Sequence, residues 1–348
     1  METKEIKWIN YVRAICMFII YASHCVSYYG FSIPYVFSVT DPIYVNAFFF
    51  VSGYLFFRKQ LSEPVILEDR KTYIHNAGGK FLQNIFFRLF VPSLIFSIIE
   101  YIPSCLLRGG TVSIGDTLKK TLGGGTYWFT SALIIAELIL FVLMLTRIKN
   151  IWFYFVCSVG FYALSLVLFC ADFEQIPNYW GYKNGFMSMI FIALGGVYWK
   201  YEDAIHKVTK NKIVLCILTV LYTGLLLLFD DSFKVLIVLN ELNPLGILIS
   251  TVGIIVLIEI CKMLKKCNWL NDIGKNTIGL YFMCGAWPIV MGMIVRKIMG
   301  INLAGWVIVY VLSFCFAYIT MKLIVRFIPF MFDLRNGKNL FRKAEKES

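Results

Sequence analysis

Two ionisable residues, Arg13 and His24, stand in the otherwise apolar stretch YVRAICMFIIYASHC (Tyr11–Cys25). At 100° per residue, the eleven steps between them return to within ~20° of the starting direction, so the spacing predicts one shared helix face. At 1.5 Å per residue they are ~16 Å apart along the axis, far enough to line one cavity across much of a membrane. Ionisable groups inside lipid are costly and mark functional sites by default. Histidine titrates near neutrality and suits a general base that takes a proton from a hydroxyl. Arginine presents a planar fork of donors to phosphates. The plainer alternatives are an arginine that snorkels to the headgroups and a histidine bonded to a neighbouring helix. The shared face favours chemistry over both.

The elements that position this pair follow from composition. The chain has 348 residues, of which 59% are hydrophobic and only 16% charged, with a mean hydropathy of +0.72. Soluble domains are about a quarter charged. Apolar runs of roughly 20 residues, the length that crosses a ~30 Å hydrocarbon core, recur from end to end. The expected fold class is all-α, a polytopic integral membrane protein with about ten transmembrane helices. They are placed near 9–29, 43–57, 82–103, 126–146, 151–171, 184–200, 213–230, 245–262, 276–298 and 303–327. The run FKVLIVLN before Pro244 is apolar but too brief to span and reads as a re-entrant piece. One membrane domain over 1–330 and a basic cytoplasmic tail over 331–348 are expected.

The net charge of +12 does not point to nucleic acid, because the Lys and Arg residues sit in alternate loops between spans. Their asymmetry places both termini in the cytoplasm and makes the lipid bilayer the partner. The ten cysteines lie mostly inside apolar runs and the three histidines are far apart, so neither a disulfide framework nor a metal site is expected. Ser52–Gly53 lacks the Gly-x-Ser-x-Gly pattern of a nucleophile elbow and reads as a close helix packing point.

Further stretches join the Arg–His pair in a fixed order: NAFFFVSGYLF (Asn46–Phe56), then Arg58–Lys59, FFRLFVP (Phe86–Pro92), YWFTSALI (Tyr127–Ile134) and GLYFMCGAWPI (Gly279–Ile289). Together they resemble the signature of the membrane acyltransferase-3 family over nearly the whole chain. The resemblance implies an O-acyltransferase of a bacterial cytoplasmic membrane. It would move an acyl group, usually acetyl, from acetyl-CoA or another acyl-CoA to a hydroxyl of a carbohydrate acceptor such as a surface polysaccharide. On that reading His24 is the base, or is itself acylated in passing. Arg13 holds the donor's thioester region or its phosphates, or orients the histidine. Arg58, Lys59, Lys80 and Arg88 form the basic set for the coenzyme A nucleotide, and Tyr127 and Trp128 shape the acceptor or acyl pocket. No metal is implied.

Two departures stand out. Cys284 and Gly285 occupy the place where many relatives put a histidine, and the arginine that precedes Arg88 in an Arg-x-x-Arg pair is missing. Among the intramembrane acids Glu100, Glu137 and Glu259, Glu137 is expected to pair with Arg13 or Arg88 or to face a polar cavity. His75 and His206 are expected to be solvated. A polytopic transporter or exporter of a polysaccharide or small metabolite is the rival reading, which ten helices and a polar line through the first would also suit.

Overall fold

The computed structural model describes residues 6–31, 36–107, 112–170, 178–228 and 244–336, so the FKVLIVLN run lies outside the described residues. Every regular element among them is helical. The helices are α1 (Lys7–Tyr29), α2 (Val36–Gln60), α3 (Glu63–Ile66), α4 (Arg70–Tyr73), α5 (Gly79–Ile85), α6 (Val91–Leu107), α7 (Ile114–Leu122) and α8 (Trp128–Met144). They continue with α9 (Ile151–Cys170), α10 (Tyr182–Thr209), α11 (Lys212–Leu228), α12 (Pro244–Met263), α13 (Asn268–Lys275), α14 (Thr277–Tyr281), α15 (Ala286–Met299) and α16 (Leu303–Phe327).

Five helical stretches are long and apolar enough to cross a membrane: Lys7–Tyr29, Arg70–Ile102, Ile151–Phe169, Pro244–Met263 and Leu303–Phe327. A sixth arises if Tyr179–Thr209 and Lys212–Leu226, bent by 106° at their junction, are one span. The remaining expected runs also hold helices, but shorter or more polar ones. The run at 276–298 is not one helix: α14 ends at Tyr281 and α15 starts at Ala286, with turns between. Pro288 supplies the reason. It lacks an N–H, and its ring would collide with the Cys284 carbonyl four residues back in a continuous helix.

α1 packs on α2, α12, α13, α15 and α16, which makes it the central helix. It stops at Gly30, whose φ of 85° is a left-handed cap that closes on the Val26 carbonyl. At its other end Trp8 meets Tyr54 edge-on at 5.1 Å and Tyr198 at 6.2 Å, tying α1, α2 and α10 together. α2 and α10 cross in backbone contact. A Cβ on Gly53 would lie 2.0 Å from the Ile192 carbonyl oxygen, and one on Gly195 would lie 1.9 Å from that of Phe50. Small residues that let membrane helices meet this closely are what Ser52–Gly53 announces.

Two π turns, Ile74–Gly78 and Phe86–Phe90, interrupt the long stretch from α4 to α6. Arg147 fastens the segment ahead of it. Its guanidinium donates to the carbonyls of Val65 and Glu68 and lies 4.4 Å from the centre of the Tyr73 ring.

Beyond α16 the chain turns back on itself. The expected tail at 331–348 is, as far as Asn336, a pair of short 3-10 turns docked on the helices, and residues 337–348 lie outside the described part. Phe332 stacks on Phe96 at 5.2 Å, and Arg335 donates to Asn84 Oδ1 at 2.8 Å.

Candidate active site

The helical repeat of α1 places Arg13, Met17, Ile20 and His24 on one stripe, and all four line a single cavity of about 830 Å³. The stripe of α2 that faces them is longer: Asp41, Tyr44, Val45, Phe48, Ser52, Leu55, Phe56, Lys59 and Gln60. These positions recur at steps of three and four, the signature of one helix face. From Asp41 to Gln60 the stripe rises ~28 Å, close to the thickness of a hydrocarbon core. Because α1 and α2 are joined by a short connection after Tyr29, they run antiparallel. The His24 end of α1 therefore lies towards Asp41, and its Arg13 end towards Lys59.

The two ends of the cavity differ in charge. Lys59, Asn84, Arg88 and Lys275 gather with Gln60 at one end, and Asp41, Tyr44 and Ser23 line the other. The bundle's third wall is α8, which contributes Trp128, Phe129, Leu133 and Glu137. Glu137 faces the cavity, within electrostatic reach of Arg88. Arg13 is within reach of Arg88 as well. Arg13 and Glu137 thus share the cavity with His24, both within electrostatic reach of Arg88 at the basic mouth.

The His24 ring rests parallel to Tyr28, centroids 5.9 Å apart, and its Nε2 is 3.6 Å from the Cys284 sulfur. The broken ninth run makes this contact possible, since its unwound segment carries Cys284 to the flank of α1. Beside it Glu100 fills the room at Gly285, where a Cβ would stand 2.2 Å from Glu100 Oε1. A histidine at 285 would have to displace the Glu100 carboxylate from this position.

The sequence-predicted residues therefore divide. Arg13, His24, Lys59, Arg88, Trp128 and Glu137 are brought together on one cavity. Arg58 and Lys80 are exposed and do not line it. Arg58 is turned 100° from Lys59 about the α2 axis, and Lys80 lies two helical turns before Arg88 with a π turn starting between them. Tyr127 is buried in the helix packing instead: its hydroxyl lies 2.6 Å from Glu100 Oε2 and 3.1 Å from the Phe282 carbonyl, and it can donate to either. Ser52 lines the cavity while Gly53 packs on α10.

The structure adds Ser23, Asp41, Tyr44, Gln60, Asn84 and Lys275, which the motifs did not supply. For Asp41, Tyr44 and Gln60 the stripe on α2 was the available signal; Ser23, Asn84 and Lys275 come from α1, α5 and α13. His206 keeps 44% of its side chain exposed and in addition has its Nδ1 2.7 Å from Glu259 Oε2. Glu259 is buried and also receives Tyr198 at 3.0 Å and Lys262 at 3.3 Å. That network sits apart from the large cavity, in a recess of about 450 Å³ shared with Trp8 and Glu202.

The C-terminal turns stand beside Arg88, whose side chain stays 58% exposed. Asp333 Oδ2 lies 3.8 Å from Arg88 Nε and pairs with Arg335. Burial pushes the Asp333 carboxyl up, but hydrogen bonds from the Arg335 side chain and backbone outweigh it and hold the group below the usual carboxylate range. Among the described residues, no group of three or more His, Cys, Asp or Glu is arranged to hold a metal ion.

No curated protein and no solved structure matches the chain. The acyltransferase domain of the acyltransferase-3 family matches residues 6–322 of the 348, a region that contains every cavity-lining residue. A cavity built from charged and aromatic side chains among long apolar helices, within a match of that extent, makes the chain a multi-pass membrane protein that belongs to the acyltransferase-3 family.

Proposed function

We propose that this acyltransferase transfers an acyl group, acetyl in the simplest case, from acyl-CoA to a hydroxyl of a cell-surface polysaccharide or its precursor. The supporting observation is one continuous cavity with cations at one end and His24 towards the other. The donor's phosphates meet Lys59, Arg88 and Lys275 at the basic mouth. Its thin arm passes Arg13, which faces the thioester region, and delivers the acyl carbonyl to His24. The acceptor comes from the end lined by Asp41, Tyr44 and Ser23, and Trp128 gives its sugar ring an apolar face.

In direct transfer His24 takes the proton of the attacking hydroxyl, the new ester C–O bond forms as the thioester C–S bond breaks, and the proton passes from His24 to the coenzyme A thiolate. In the two-step route the thioester breaks first, as the His24 imidazole takes the acyl group and the coenzyme A thiolate takes the imidazole proton; the hydroxyl then attacks the acyl-imidazole, its C–N bond breaks, and the hydroxyl proton returns to the imidazole. Arg13 offsets the negative charge that develops on the carbonyl oxygen. With the basic mouth inside, both termini are cytoplasmic, and the location is a bacterial cytoplasmic membrane.

The test is transfer of radiolabel from acetyl-CoA on one side of a proteoliposome to a polysaccharide on the other. Label in the polymer with the native protein, and none with His24→Ala of equal thermal stability, is the expected result. Movement of unmodified polysaccharide without transfer of label would instead mark a transporter.

A further inference from the structure

We propose that the acceptor presents a hydroxyl-rich sugar without an acidic group, and that Asp41 is the residue that turns acidic sugars away. The proposal rests on the acyl-transfer reading above and names the chemical class of its acceptor. Asp41 and Tyr44 stand three residues apart on one face of α2, and Ser23 adjoins His24 on α1. All four side chains line the cavity. Asp41 is exposed there, so an incoming ligand reaches it.

A chain of side-chain hydrogen bonds joins three of these residues. Ser23 donates to the Tyr44 hydroxyl, which donates to the Asp41 carboxylate. Both hydroxyl protons are used inside the chain, and the carboxylate keeps unused lone pairs that can only accept. A ligand at this end must therefore donate, and sugar hydroxyls do so. A sugar carboxylate, sulfate or phosphate brings acceptors instead, with a charge of the same sign as Asp41. The distribution of cations points the same way. Those that line the cavity are Arg13, Lys59, Arg88 and Lys275. Lys59, Arg88 and Lys275 gather at the opposite mouth, and Arg13 is ~16 Å from His24 along the α1 axis. Among the described residues that line the cavity, no Lys or Arg stands at the Asp41 end. An acidic sugar would meet Asp41 there with no lining cation to offset the repulsion, and like charges brought together suppress the wrong partner.

The test uses the full chain in nanodiscs, radiolabelled acetyl-CoA and oligosaccharides in matched pairs. Galactan, glucan and mannan chains are each offered beside the same chain oxidised at C6 to its uronic acid. With the native protein, kcat/KM for label transfer is expected to favour the neutral member about tenfold or more. Asp41→Asn should reduce that preference to about threefold or less, and Asp41→Lys should reduce it further or invert it. The ratio is the readout because a purely structural loss lowers both members of a pair alike. Asp41→Asn carries the test if the lysine variant does not fold. Equal use of the two members by the native protein, or preference for the acidic one, would overturn the inference. So would a neutral preference that both variants leave in place, since the missing C6 hydroxyl rather than the charge would then explain it. No transfer of label to any chain of either kind would overturn the carbohydrate-acceptor reading itself.

Discussion

His24 Nε2 and the sulfur of Cys284 stand 3.6 Å apart, although 260 residues separate them in the chain. The contact joins the central helix to the break between α14 and α15. It gives one imidazole nitrogen, at the cavity wall, a soft and weakly bonding partner.

From that relationship His24 and Cys284 are expected to differ in weight. On the proposed reading His24→Ala removes the base and should lower kcat by at least ~100-fold, the scale of general base catalysis. Cys284→Ala removes only a weak partner and should lower kcat by less than about tenfold. Steady-state transfer of radiolabelled acetyl from acetyl-CoA measures both. Equal losses would make the thiol part of the chemistry.

Arg13 tests the value of a planar cation. Lysine keeps the charge but loses the fork, so Arg13→Lys should retain no more than about a tenth of native kcat/KM. Arg13→Ala should fall further. The Kd of acetyl-CoA, measured on the same variants, tells whether Arg13 serves binding or the transition state.

Asp333 stands against Arg88 at the mouth proposed for the donor. Asp333→Asn removes that anion and should tighten acetyl-CoA binding by up to about fivefold, since an exposed ion pair contributes ~0–1 kcal/mol. The carboxyl's pKa is depressed in the folded protein. Its contribution is therefore complete above the unfolded value of about 3.9 and is lost only as the pH falls through the lower folded value. The difference in affinity between the native protein and Asp333→Asn should be constant from about pH 5 to about pH 8 and shrink with added salt, as titration calorimetry at two ionic strengths would show.

The glycine crossing predicts stability rather than activity. Gly53→Ala or Gly195→Ala forces a Cβ to within about 2 Å of a backbone oxygen, and each should destabilise by ~2 kcal/mol or more. Gly160→Ala is the control, since its Cβ would meet nothing within 4 Å. Thermal unfolding in detergent separates the two kinds of site.

Much of the helical framework was legible because apolar length and helical spacing are local properties. The eleven-residue step from Arg13 to His24 fixed a face, and that face does line the cavity. The stripe on α2 was equally periodic, but starting that helix at residue 43 left Asp41 in a loop and hid the pattern that includes Tyr44 and Gln60. Arg58 shows the limit of adjacency: its neighbour Lys59 reaches the cavity and it does not. Tyr127 was misplaced for another reason. Its hydroxyl is held by Glu100, 27 residues away, and by a carbonyl in a broken helix, relations that no local pattern encodes. Pro288 was visible as an interruption, yet only the fold shows that the break it imposes carries Cys284 to His24.

The backbone contact between α2 and α10 bears on how the cavity admits its ligands. Two helices in backbone contact at Gly53 and Gly195 leave little room for side-chain adjustment on that flank. Adjustment at the basic end falls instead to another flank, where the π turn at Phe86–Phe90 and the docked Leu334–Asn336 turn meet. On the proposed reading, tolerance for the bulk of the donor's phosphate end is set by a handful of contacts at that rim.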